Sequence, residues 1–452
     1  MSYPSGRTYS WLTERLNTEL ALLPSTHRAV AWVQFHSQTI HLNTISHSQL
    51  LFTSYPDIAI DLATPFSILC HELAHWFDLV STRWGQSYLI DLFDAYEVAC
   101  NKNTDLSEDD FWRVVRSYDN DRRIMFPGYY RTINPDASEH GVRNPWFLQC
   151  TTGLEFNPDG RLDPKRPIFF AVFGENPSGQ RLARQPLSVG ALLECIAVHS
   201  ELLAEFGIAN AIADGDTRTV ELAIRSRERG RSWYDPSLTE YTAAAHLLSI
   251  STHTVEPMIT YELASAVAFL CLNLSPEHFQ RLKLHGRMRD IPPARVTAFK
   301  KMRDPGFAFA TIVAGAPQYP KFQGDHEAWL EDALHRVNLP KSRTIHETAL
   351  GYLNSRRRTL LSKWSLDSTR DYLLDVGRDI LRKRLQLGIS SNVLTVLRGG
   401  APMPPVFDAD GVLFSLGEAQ LERNLFDPER MYDLQWDLRK FSENFLKACR
   451  IS

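Results

Sequence analysis

His71-Glu72-Leu73-Ala74-His75 is the stretch from which the fold and the chemistry of this chain are read. Two histidines four residues apart on an α-helix project from one side, one turn above the other. Both imidazoles therefore reach a single metal ion without distorting the backbone. The glutamate directly after the first histidine lies beside them, placed to take a proton from metal-bound water. Zinc accepts nitrogen, sulfur or carboxylate ligands and, in a catalytic site, keeps one position open for that water. The stretch supplies two ligands and a base, so a third ligand has to come from elsewhere in the chain.

The flanking sequence supports a helix. Thr64-Pro65 reads as an N-cap followed by a first-turn proline. Phe66, Leu69, Cys70, Leu73, Trp76, Phe77 and Val80 recur at three- and four-residue steps, as one apolar helix face does. His71, Glu72 and His75 fall off that stripe, which predicts a helix that buries one side and lines a cleft with another. Upstream, Ala29 to Phe35 and Gln38 to Asn43 read as two short strands joined by a tight turn.

The rest of the chain sets the frame. At 452 residues it is long for one core, so two or three domains are expected. With 44% hydrophobic and 23% charged residues it reads as an ordinary globular chain. A net charge of -4 argues against a general nucleic-acid binder, while leaving room for a local basic patch. No basic region followed by an apolar run opens the sequence. The most apolar segment, Met258 to Leu274, is interrupted by Glu262 and reads as a buried helix rather than a membrane span. Six cysteines are scattered without a CxxC pair, which suits free thiols and a cytoplasmic setting.

Taken in order, Tyr9 to Leu23 reads as a helix, and so does Tyr88 to Cys100. The second carries Asp91, Asp94 and Glu97 as a solvated acidic face. Residues 101–185 read as an irregular insertion that closes part of the cleft, with a turn at Asn157–Gly160 and a strand at Ile168–Phe173. Tyr129, Tyr130, His140, Arg143 and Trp146 lie in it as candidates to polarise a substrate carbonyl. A strong helix then runs from Ser188 to about Phe206. It holds Glu194 among Leu192, Leu193, Cys195 and Ile196, where a carboxylate is costly unless something compensates it, as a zinc ion would. Glu201 follows seven residues later on the same face, able to hydrogen-bond a metal-bound histidine.

On these residues the chain resembles the glutamate-type zincins, HExxH metallopeptidases whose third ligand is a glutamate on a later helix. The resemblance covers residues 29–206 and implies a mainly α, α+β chain, with a zincin-like metal domain bearing a short N-terminal β-sheet. It implies His71, His75 and Glu194 as ligands of one Zn2+ per chain, and Glu72 as catalytic base. It also implies a strand beside the cleft to which substrate backbone can pair. Val198 stands where familiar members often carry an acidic residue, and the interval from His75 to Glu194 is long, so His199 and Glu201 stay as competing third ligands.

Beyond residue 209 the pattern turns to long helices, at Leu238–Ser249, Thr260–Leu272, Pro293–Met302, Glu327–Val337, Ile345–Trp364 and Ser368–Leu387. This predicts an all-α domain over residues 210–452, with a linker at 399–405 and a final helix at Trp436–Cys449. The basic clusters Arg225–Arg231 and Arg356–Arg358 read as solvated helix ends. The expected function is hydrolysis of a peptide bond in a narrow, dedicated protein or peptide substrate. Beside it stand a helical scaffold whose HExxH is accidental, which predicts no stoichiometric metal, and two functional rivals. One is a zincin-like regulator whose helical half binds a protein or DNA partner. The other is a di-iron carboxylate oxygenase, since Glu72 and His75 also form an ExxH; it needs a second such pair.

Overall fold

The computed structural model describes residues 30–51, 56–100, 107–134, 146–157, 160–176, 178–322, 324–355, 366–388, 391–414 and 420–448. The helix expected at Tyr9–Leu23, the candidates His140 and Arg143, and the Arg356–Arg358 cluster lie outside these residues. The fold is mainly helical, with two small sheets.

Strands β1 (Trp32–Gln34) and β2 (Thr39–His41) pair antiparallel. Gln38 in their turn has φ 57°, a left-handed conformation that costs a residue with a Cβ. Its carboxamide offsets this: the nitrogen donates to the Phe35 carbonyl and the oxygen accepts from the Trp76 indole at 3.1 Å. The turn is thereby tied to helix α1 (Ala63–Ser81). Thr64 and Pro65 fall inside the first turn of α1, behind a 3-10 turn at Ile60–Leu62. Proline is tolerated there because first-turn N–H groups have no intrahelical acceptor.

Leu69, Leu73, Trp76, Phe77 and Val80 are fully buried as expected, but so are His71, Glu72 and His75 on the other side. Helix α1 is therefore central, with little of either side exposed. Helix α2 (Arg83–Cys100) follows, and α3 (Glu108–Ile124) begins at a Ser107 capping box. Asp91 accepts from Asn120 at 2.9 Å and Glu97 lies 3.7 Å from Arg113, so the acidic row faces α3 instead of open water.

The described residues of the region read as an irregular insertion are largely in regular structure. Strands β3 (Thr132–Ile133), β4 (Trp146–Phe156), β5 (Leu162–Glu175) and β6 (Arg181–Pro186) form an antiparallel sheet in the order β3-β6-β5-β4. The buried run Ile168–Phe173 lies within β5. Helix α4 (Val189–Ala211) comes next, its N-terminus capped by Ser188, whose hydroxyl accepts from the Ala191 N–H. It packs directly against α1.

Helices α5 (Gly215–Trp233), α6 (Thr239–Thr252), α7 (Pro257–Leu272) and α8 (Pro276–Arg281) continue the chain. Then come α9 (Pro293–Met302), α10 (Pro305–Gly315), α11 (His326–Arg336) and α12 (Ser342–Ser355). Helices α13 (Asp367–Leu387) and α14 (Val393–Arg398) lead to β7 (Val406–Phe407), β8 (Leu413–Phe414) and α15 (Pro428–Ala448). Periodicity does not reveal α10, because a short run apolar on all sides has no polar face to set the period. Phe299 of α9 and Phe307 of α10 stack on each other and meet Phe169 of β5 edge-on, so this sheet spends its apolar face on helices.

The second half is not all-α. Strand β7 pairs parallel with β2, and β8 completes the sheet β1-β2-β7-β8. The stretch read as a linker is packed: Ala401 and Met403 are buried, and the Pro405 carbonyl accepts from the Ile40 N–H at 2.9 Å. One hydrophobic cluster runs from Ala31 to Leu438, across the boundary expected at residue 209. Helix α13 lies so close to α1 that a Cβ on Gly377 would sit 1.7 Å from the Val80 carbonyl oxygen, which only glycine allows. Among the described residues no single helix is long and apolar enough to cross a membrane.

Candidate metal centre

Helices α1 and α4 bring His71, His75 and Glu194 to one point. Glu194 Oε2 lies 3.1 Å from His71 Nε2 and 3.4 Å from His75 Nε2, and all three side chains are buried. Zinc bonded tetrahedrally at about 2.0–2.1 Å separates its ligand atoms by about 3.3 Å. The spacing and the donor set, two imidazoles and one carboxylate, therefore fit such an ion. Among the described residues no second group of three or more histidine, cysteine or acidic side chains converges in this way.

The electrostatics of the cluster are those of charges held by one another. Glu194 is 1% exposed, and burial alone would raise its pKa; His75 and His71 outweigh that and hold it well below the usual carboxylate range. Burial would lower His71, but its hydrogen bonds with Glu194 and Glu201 carry it well above the ordinary imidazole value. A proton on His71 Nε2 and a metal ion are thus alternative occupants of the same point. Glu72 beside them is raised by burial against the pull of His71 and His75. Glu240 on α6 is pushed up to about 8 by burial and then by Glu194, with Arg131 opposing from 3.6 Å.

Glu201 is not a ligand in this geometry. Its Oε2 accepts from His71 Nδ1 at 3.2 Å, which turns the other ring nitrogen toward Glu194. Its Oε1 is held by Arg229 Nη2 at 2.5 Å, and the same guanidinium reaches Glu205 Oε2 at 2.7 Å. Arg225 closes the chain on Glu205 Oε1 at 3.2 Å. The cluster read as a solvated helix end thus buries Arg225, 8% exposed, and leaves Arg229 partly exposed, its side chain 24% accessible. Arg225 and Arg229 on α5 offset the charge of Glu201 and Glu205 on one face of α4, as His71 and His75 do for Glu194. With burial opposing, Arg229 and His71 lower Glu201 to about 2. His199, the other competing ligand, lies on the opposite face of α4, away from the cluster.

A cleft of about 410 Å3 opens beside the cluster. His71 and Glu72 form its floor, with Glu201 and Arg229 on one side. Ile68, Val198, Leu202, Trp233 and Tyr261 give it apolar walls. Val30 and Ala31, just ahead of β1, reach its rim, and β1 is the outer strand in its sheet's order. Among the described residues, those lining it come from outside 101–185. Tyr130 instead receives the Phe156 N–H at 2.6 Å and stacks on Phe156, while Trp146 stacks on His246. Tyr129 packs against Tyr130. Beside Trp233 and Tyr261, Tyr241 on α6 lines the cleft, its ring 6.2 Å from that of His71. Nothing in its local sequence distinguishes it from a core tyrosine.

Compared with protein families, with curated proteins and with solved structures, the chain finds no match.

Proposed function

We propose that this chain is a zinc-dependent metallopeptidase of the glutamate-zincin kind, with His71, His75 and Glu194 as ligands and Glu72 as general base. The observation that carries the reading is the arrival of Glu194, 123 residues after His71, within 3.1 Å of its Nε2. The HExxH spacing supplies two ligands by local geometry alone, whereas the third requires the whole fold to agree. A bound zinc ion would acidify a water molecule and polarise the scissile carbonyl. Glu72, raised by burial, accepts the proton of the attacking water and returns it to the leaving amine. Tyr241 on the cleft wall offers a phenol to the developing oxyanion. Substrate backbone lies along β1, with a side chain between the apolar walls.

The test compares the zinc-loaded protein with Glu72→Gln on a defined peptide mixture, read by mass spectrometry. Cleavage should fall about 10²- to 10⁴-fold in the variant while bound zinc stays at one per chain. Equal cleavage by both proteins, or none by a folded zinc-loaded wild type, would contradict the reading. A regulator that acts through a partner would keep its function in Glu72→Gln.

A further inference from the structure

Behind α4, on the side away from the metal cluster, lies a second cavity of about 340 Å3. Four residues of its lining each carry a buried polar atom with no hydrogen-bond partner among the described residues: His199 Nε2, His346 Nε2, Arg384 Nε and Ser391 Oγ. They come from four separate places in the fold, namely α4, α12, α13 and the residue pair ahead of α14. Native proteins leave few buried polar groups unpaired, because each costs about 1–3 kcal/mol. Four such atoms around one cavity are better explained by a ligand than by four separate packing faults. His199 and Arg384 are 5% and 6% exposed, so their orientation is fixed by packing rather than by solvent.

We propose that this cavity is a second ligand site, shaped for a small carboxylate with an apolar body. The hydrogen-bond inventory argues for oxygen acceptors. Arg384 Nε can only donate, a serine hydroxyl donates readily, and each imidazole nitrogen donates in one tautomer. Burial lowers both histidines to about 4, with Arg384 adding to the effect on His346, so the imidazoles are neutral and the charges on the lining are those of Arg384, Arg343 and Glu327. Arg384 Nη1 is engaged by Asp78 at 2.5 Å, and the face of that guanidinium lies 4.4 Å from the centre of the Phe269 ring. The Nε edge remains for a carboxylate oxygen. Ile196, Phe269, Leu330, Leu385 and Val393 line the rest and receive the apolar body. The Arg384–Asp78 pair also connects the cavity to α1, three residues beyond His75.

Titration calorimetry on the full zinc-loaded chain tests this with 4-methylpentanoate, 3-methylbutylamine and inorganic phosphate. The carboxylate should bind saturably at one per chain, and neither the amine of similar body nor phosphate should. Because Arg384 also holds Asp78, the variants are Ser391→Ala and His346→Phe, checked for unchanged zinc content and melting. Each should weaken the carboxylate by about tenfold. Failure of 4-methylpentanoate to bind would overturn the proposal. So would binding that is unchanged in both variants and lost when zinc is removed, which would put the carboxylate on the metal instead.

Discussion

On one face of α4, Glu194, Glu201 and Glu205 each end on a histidine or an arginine; on the opposite face His199 is buried too, and its Nε2 has no hydrogen-bond partner among the described residues. The difference follows from charge. An ionised carboxylate left alone in the interior costs several kcal/mol, so every glutamate on that face had to acquire a partner. A neutral imidazole with one unmade hydrogen bond costs about 1–3 kcal/mol, which packing can absorb. One face is therefore organised by electrostatics across three helices, α1, α4 and α5, and the other by the shape of a cavity.

The largest effect should come from breaking the charged face at its far end. Arg229→Gln leaves Glu201 without its cation and loosens the carboxylate that orients His71. Zinc affinity measured by chelator competition should fall about 10- to 100-fold, although Arg229 touches no metal ligand. An unchanged affinity would mean that the pairs on this face serve packing alone. A pH series sharpens the same point. His71 is held well above the ordinary imidazole value, so at neutral pH it carries a proton that zinc must displace. Apparent zinc affinity should then rise with pH, about tenfold per unit while that proton is being displaced, and flatten once His71 is neutral without metal. A flat profile from pH 6 to 8 would contradict the coupling of His71 to Glu194 and Glu201.

The smallest effect belongs to the other face. His199→Leu removes an unpaired polar atom and fills part of the cavity with carbon. Zinc content should be unchanged, and stability by urea unfolding should shift by no more than about 1 kcal/mol in either direction. Loss of zinc in this variant would make His199 a ligand and dissolve the contrast between the faces.

What could be read from the sequence divides along the same line. His71, Glu72 and His75 were legible because one helix turn fixes their spacing, and no tertiary information is needed. Glu194 stood out as a charge in an apolar run, and Glu201 as its neighbour two turns on. Which of the two faces the histidines is a matter of how α4 packs on α1, and a single sequence leaves it open. Arg225 and Arg229 were misread as solvent-facing because an arginine-rich run looks the same whether it meets water or buried glutamates. In the fold, helices such as α7 and α13 follow from periodicity, whereas two-residue strands like β7 and β8 are too short to show alternation. The pairing of β7 with β2 depends on residues more than 360 positions away.

The most direct test is the metal content of purified protein by mass spectrometry, wild type beside Glu194→Ala. The account predicts about one zinc per chain in the wild type and its loss in the variant, with the variant still folded by circular dichroism. Zinc retained in Glu194→Ala, two irons per chain, or a folded wild type that takes up no metal when zinc is supplied would contradict it.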